Sequence, residues 1–193
     1  MARPIDDMIH LIDVRDIQSA LKSYKIIFDQ KQAGGEETMT KEQLGDIIIA
    51  SEDTMYHVAK TLLHSDVDCA DAIQEAIVKA FSGIQTLRKD SYAKTWLIRI
   101  VINECYAIMR REQRLVPVDD LTQEAATEQA DYSDLYDALR RLPEEIRLTV
   151  TLYYIEGYSV REVADLMKTT ESAIKNRLMR ARAKMKKELA EAE

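Results

Sequence analysis

The side chains best suited to chemistry lie near the C-terminus, and the chemistry they suit is recognition of nucleic acid. Lys175, Arg182 and Lys186 recur on one side of a helical pattern, flanked by Ser172, Asn176 and Arg180. Ile174, Leu178, Ala181 and Met185 fall on the opposite side. An apolar stripe backed by a basic, amide-bearing face is what a helix needs to lie in a DNA major groove. Side chains of the N-terminal turns meet base edges, and Arg and Lys further along meet phosphates. A solvated basic face would show the same pattern, since cations suit a helix C-terminus. The preceding residues weigh toward DNA. Ser159 and Glu162 form a capping box, and Val160, Val163, Ala164 and Met167 then recur at helical spacing. Lys168-Thr169-Thr170 breaks the pattern, and a threonine there can cap the next helix. Two helices joined by a short turn are therefore predicted. A helical hairpin that binds protein is the alternative.

A second group lies on a helix predicted from about residue 92 to 114. Leu97, Ile98, Val101, Ile102, Cys105, Ile108 and Met109 fill one side. The other side collects Trp96, Arg99, Asn103, Tyr106, Arg110 and Arg114, and so holds the only tryptophan of the chain. Aromatics interleaved with Arg and Asn suit unstacked nucleic acid, because rings stack on bases while cations meet phosphates. A tryptophan half-buried against the preceding helix fits equally well. A third group, Asp71, Gln74 and Glu75 with Lys79, forms the polar face of a helix from residue 69 to about 81. Spacing alone makes it a solvated face.

Enzyme chemistry has no such footing. No catalytic dyad, glycine-rich phosphate loop or metal-ligand set is visible, so neither catalysis nor a cofactor is expected. His57 and His64 could share a helical face, but no carboxylate or cysteine completes a ligand set. Cys69 and Cys105 read as two buried thiols in a reducing cytoplasm. No membrane-length apolar run and no signal peptide is present, which points to a cytoplasmic protein without membrane insertion.

The elements that must position these groups are helices. The chain has 193 residues with five Gly and three Pro, and no sustained strand-like alternation. An all-α protein follows, built as two small helical domains joined by a flexible acidic linker. Its net charge of −7 reads as an asymmetry, with a basic C-terminal helix and an acidic remainder. Such a chain would bind DNA weakly alone and rely on a large partner. Residues 1–37 form an N-terminal extension of open role, in which helical and strand patterns compete before Gly34-Gly35. Residues 38–114 form the first domain, opened by a capping box at Thr40 and Gln43. A single helix is predicted from 41 to about 64, and Asp66 or Asp68 is predicted to cap the next. Residues 115–131 are acidic and poor in large apolar groups, as a linker should be. Residues 132–193 form the second domain, with Pro143 at a first helical position and Gly157 ending that helix.

Two stretches, DCADAIQEAIVKAF with YAKTWLIRIVINECYAIMRR and LPEEIRLTVTLYYIEGYSVREVADLMKTTESAIKNRLMRARAKMKKEL, resemble regions 2 and 4 of bacterial sigma-70-type initiation factors. With only these two regions and a short linker, the chain resembles the small extracytoplasmic-function class. The resemblance runs from about Thr40 to Leu189. It implies a transcription initiation factor that recruits core RNA polymerase, through its β′ and β subunits, to promoter DNA, with an anti-sigma factor as a further partner. It implies that Asp71, Gln74 and Glu75 dock on polymerase. Arg88, Tyr92, Trp96, Arg99, Asn103 and Arg110 would open and hold the −10 element. Ser172, Lys175, Asn176, Arg177 and Arg180 would read the −35 element. Lys168 stands where the family often has glycine, and Glu171 brings a negative charge close to the DNA. Two other readings share parts of this pattern: a stand-alone helix-turn-helix regulator, and a helical adapter that binds only protein.

Overall fold

The computed structural model describes residues 39–87, 89–115 and 133–191, and every regular element among them is helical. The expected N-terminal extension, the loop residue Arg88 and linker residues 116–131 fall outside the described residues.

Helix α1, Lys41–Ala50, opens on the predicted capping box. The Thr40 hydroxyl accepts the Gln43 amide at 3.2 Å, and Gln43 Oε1 accepts the Thr40 amide at 2.7 Å. The single helix expected from 41 to about 64 is broken. Helix α2, Glu52–Leu62, starts after a buried Ser51, whose amide turns back to the Ile48 carbonyl at 3.1 Å. Such a tight turn closes fewer residues than an α-helical one and redirects the axis. The apolar pattern runs through the break because Leu44, Ile48, Met55, Val58 and Leu62 all enter one core.

Helix α3, Asp66–Gly83, is capped by Ser65 rather than by either predicted aspartate, its hydroxyl accepting the Asp68 amide at 3.4 Å. Asp66 and Asp68 instead occupy the first turn, where their charge suits the helix dipole. Two single turns, Ile84–Thr86 and Asp90–Tyr92, lead into the long helix α4, Ala93–Leu115. The second half holds α5, Ser133–Arg140, and α6, Glu144–Val150, which widens into a π-helical turn at Thr151–Ile155. Pro143 stands one place before α6, as its cap rather than its first residue. Gly157, at φ 71°, takes the left-handed conformation that ends this stretch. Helices α7, Val160–Leu166, and α8, Glu171–Glu191, follow.

The two halves share a core. Leu97, Ile98 and Val101 of α4 and Val58 of α2 belong to the same apolar cluster as Leu148, Leu152, Val163, Ile174 and Leu178. A smaller cluster of Tyr136, Leu139, Leu142, Val150 and Ala181 closes α5 on α8. Each fully buried Leu or Ile contributes about 2 kcal/mol, against about 1 kcal/mol for a neutral hydrogen bond. Apolar burial therefore dominates the packing, and the polar contacts between halves set its register. Thr61 and Thr151 hydroxyls meet at 3.0 Å, and His57 meets Glu156 at 2.6 Å.

Candidate nucleic-acid interface

Helices α7 and α8 and the turn between them are built by local hydrogen bonds that the sequence announces. The Ser159 hydroxyl accepts the Glu162 amide at 3.3 Å, and Glu162 Oε2 accepts the Ser159 amide at 2.9 Å. The bonds from Ser159 hold the Glu162 carboxyl below its usual range. In the turn, Lys168 adopts φ 49°, a left-handed conformation that glycine takes without strain. The Thr170 hydroxyl then accepts the Ala173 amide at 3.2 Å and caps α8, as predicted.

Helix α8 buries Ile174, Leu178 and Ala181, leaves Met185, the last member of the expected stripe, exposed, and also exposes Ser172, Lys175, Asn176 and Arg180. The predicted basic, amide-bearing face thus points outward. Arg177 departs from it. Its side chain is 18 % exposed, pairs with Glu145 of α6 and approaches Met167 Sδ at 3.8 Å. Position 177 adjoins the buried Leu178 and lies one turn from Ile174, so its guanidinium braces α8 against α6. Glu171 forms a long contact with Lys175, 4.0 Å, one turn away along the helix.

On α4 the polar stripe divides. Asn103 and Arg110 are exposed, as is Tyr92 in the single turn that precedes the helix. Trp96 is half-buried, packed on the core and close to Gly83 at the end of α3; a methyl group added at Gly83 would lie 3.7 Å from Trp96 Cζ2. The ring thus packs on the preceding helix as one of the two readings expects, with part of it left accessible. Arg99 crosses to the second half, where its Nη2 donates to the Asp165 carbonyl at 2.7 Å, while its buried Nε has no partner. Tyr106 also crosses. Burial first, then the charge and hydrogen bond of Glu144, push its hydroxyl up to about 12. Sequence spacing puts all these side chains on one face of α4; packing of the second half takes two of them.

The face of α3 that carries Asp71, Gln74 and Glu75 is exposed. Lys79 borders it, pairing with Glu75 at 3.3 Å and with Glu104 of α4 at 2.6 Å. Among the described residues no cluster of three His, Cys, Asp or Glu could hold a metal ion. Cys69 and Cys105 are buried, and burial raises the Cys69 thiol to about 12, far from a reactive thiolate at neutral pH. No helix of the described residues is long and apolar enough to cross a membrane.

Residues 48–115 match the family model for sigma-70 region 2, and residues 132–185 match that for sigma-70 region 4. The chain is 32% identical over 139 residues to the ECF RNA polymerase sigma factor SigM of Mycobacterium tuberculosis, across 68% of this chain and 69% of that one. The chain belongs to the extracytoplasmic-function sigma factors of the sigma-70 family. This sigma factor is also 27% identical over 146 residues to the RNA polymerase sigma factor SigV of Bacillus subtilis, across 74% of this chain and 88% of that one. Its fold resembles that of the sigma factor RpoE from Bartonella quintana, solved in complex with the anti-sigma factor NepR. The TM-score is 0.63 at 25% identity, covering 78% of this chain and 96% of RpoE. CnrH, solved with the cytosolic domain of CnrY, shares the fold at TM-score 0.62 and 21% identity, across 80% of this chain and 92% of CnrH.

Membership makes this sigma factor a promoter-specific transcription initiation factor that works with RNA polymerase. The family is not one of enzymes. A stand-alone regulator would use the helix-turn-helix alone, yet region 2 is matched as well, and the adapter reading leaves both matches unexplained. One exposed side chain on α8, Met179, escapes the sequence-based assignment because it is apolar on a face identified by its charges and amides.

Proposed function

We propose a division of labour along the chain. Residues 132–193 read the −35 element through Ser172, Lys175, Asn176 and Arg180. Residues 38–114 dock on core polymerase through Asp71, Gln74 and Glu75, and capture the −10 element through Tyr92, Trp96, Arg99, Asn103 and Arg110. The acidic residues 115–131 connect the two and run toward the polymerase active-site cleft. Polymerase performs the chemistry, in the cytoplasm. The observation that carries this reading is α8 itself, a capped second helix that buries Ile174, Leu178 and Ala181 and turns its amide and cations outward.

Magnitudes limit what the −10 stripe does. Opening duplex DNA costs roughly 1.4 kcal/mol per base-pair step, and a base stacked on an aromatic ring returns about 1–3 kcal/mol. Capture of one or two bases offsets a few steps and nucleates melting; polymerase supplies the rest.

Arg99 already donates from Nη2 to the Asp165 carbonyl, so freeing its whole guanidinium for −10 capture requires α4 and α7 to part. We propose that the closed packing is the form an anti-sigma factor holds away from promoters. Its similarity to the RpoE chain in complex with NepR supports this.

Gel shifts on a pool of promoter fragments, with and without core polymerase, test the assignment. A shift that needs both proteins, with a permanganate-reactive bubble, is expected. Lys175→Ala or Arg180→Ala should weaken −35-dependent binding, and Gln74→Ala with Glu75→Ala should weaken capture of β′. A shift by this chain alone with no bubble would return the helix-turn-helix to a stand-alone regulator.

A further inference from the structure

Met179 is 56 % exposed, in the middle of the polar face of α8. Seven residues at about 100° each bring it within about 20° of Ser172. Along the axis it lies about 10 Å from Ser172, which is within the major-groove width of about 12 Å. Asn176 and Lys175 precede it by one turn and Arg182 follows by one, all exposed. The apolar stripe of Ile174, Leu178 and Ala181 is on the far side of the helix.

Single exposed apolar residues are common on proteins and mean little by themselves. Position decides here. A protein partner seated on an apolar contact needs a contiguous patch, whereas the neighbours of Met179 on this face are polar or charged apart from the single methyl of Ala183. An isolated apolar side chain among base-reading groups fits a small apolar target. The major groove offers one, the C5-methyl group of thymine, which no hydrogen-bonding side chain can satisfy. The unbranched thioether of methionine reaches and adapts to such a group. We infer that Met179 is a specificity-determining residue that packs against the C5-methyl of a thymine in the −35 element. This rests on α8 being the −35 recognition helix.

The test is selection from duplexes randomised across the −35 element, using holoenzyme assembled from core polymerase and the full chain. Wild type, Met179→Ala, Lys175→Ala and Asn176→Ala are compared. Wild type should select thymine at one position, and Met179→Ala should lose that preference while keeping the others. Deoxyuridine, which lacks only the methyl group, should weaken wild-type binding at that position by about four-fold, the factor for burying one methyl. It should leave Met179→Ala binding unchanged. Equal thymine preference in both proteins, or no effect of deoxyuridine at any selected thymine, overturns the inference. If Lys175→Ala and Asn176→Ala do alter selection, that failure belongs to Met179 alone. If neither alters it, or wild type selects nothing, α8 does not read the −35 element and the inference falls with that reading.

Discussion

His57 Nδ1 of α2 lies 2.6 Å from Glu156 Oε1, beyond the π-helical turn that follows α6, and this hydrogen bond is among those that join the two halves of the chain. The Glu156 side chain is 7 % exposed. Burial alone would raise its carboxyl. Hydrogen bonds from His57 and Thr54, with the charges of His57 and Lys94, outweigh burial and hold it below 4.5. A carboxyl depressed on folding contributes stability that is fully present above its unfolded value and lost as pH falls through its folded one. Glu156→Gln should therefore lower stability at neutral pH by about 2 kcal/mol, as expected for a hydrogen bond to a charged group. The gap between wild type and variant should close as pH falls below about 4.5. Thermal melts of both proteins across that range would show it; a gap independent of pH would deny Glu156 this role.

Trp96 and Asn103 share a face of α4 but differ in burial. Trp96→Ala should reduce open complex and also cost about 2 kcal/mol of stability, less than the roughly 3–5 kcal/mol of a fully buried aromatic. Asn103→Ala should reduce open complex with stability unchanged to within about 0.5 kcal/mol. Permanganate footprints read the first effect and denaturant melts the second. Unaltered footprints in both variants would leave the stripe a purely structural one.

Arg177 pairs with Glu145, whose side chain is 67 % exposed. Pairs of that kind contribute about 0–1 kcal/mol. Arg177→Ala should thus cost little stability and leave the selected −35 sequence as it was, in contrast to Arg180→Ala. A changed selection would return Arg177 to the DNA-reading set.

Lys168 is exposed and held at φ 49°. A left-handed conformation costs a residue with a Cβ roughly 1–2 kcal/mol, partly offset in glycine by the entropy it loses on folding. Lys168→Gly should raise the unfolding free energy by up to about 1 kcal/mol, measured by urea denaturation. A loss of stability would show that the lysine side chain outweighs the strain.

Local chemistry was legible in the residue order. The capping boxes at Thr40 with Gln43 and Ser159 with Glu162, the Thr170 cap and the left-handed Gly157 each depend on residues a few places apart, so type and spacing suffice to specify them. The buried stripe and exposed basic face of α8 follow from helical periodicity in the same way. What periodicity cannot reveal is which neighbour covers a face. The break at Ser51 leaves the apolar pattern intact, so only packing discloses it. Arg99 and Asn103 are one turn apart on α4, yet one holds the Asp165 carbonyl and the other is exposed, because α7 approaches only the first. His57 finds Glu156 across 99 residues of chain, and Arg177 turns to Glu145 across 32. Such partners are brought together by apolar burial shared between the two halves, a property of the assembled core that no single segment carries.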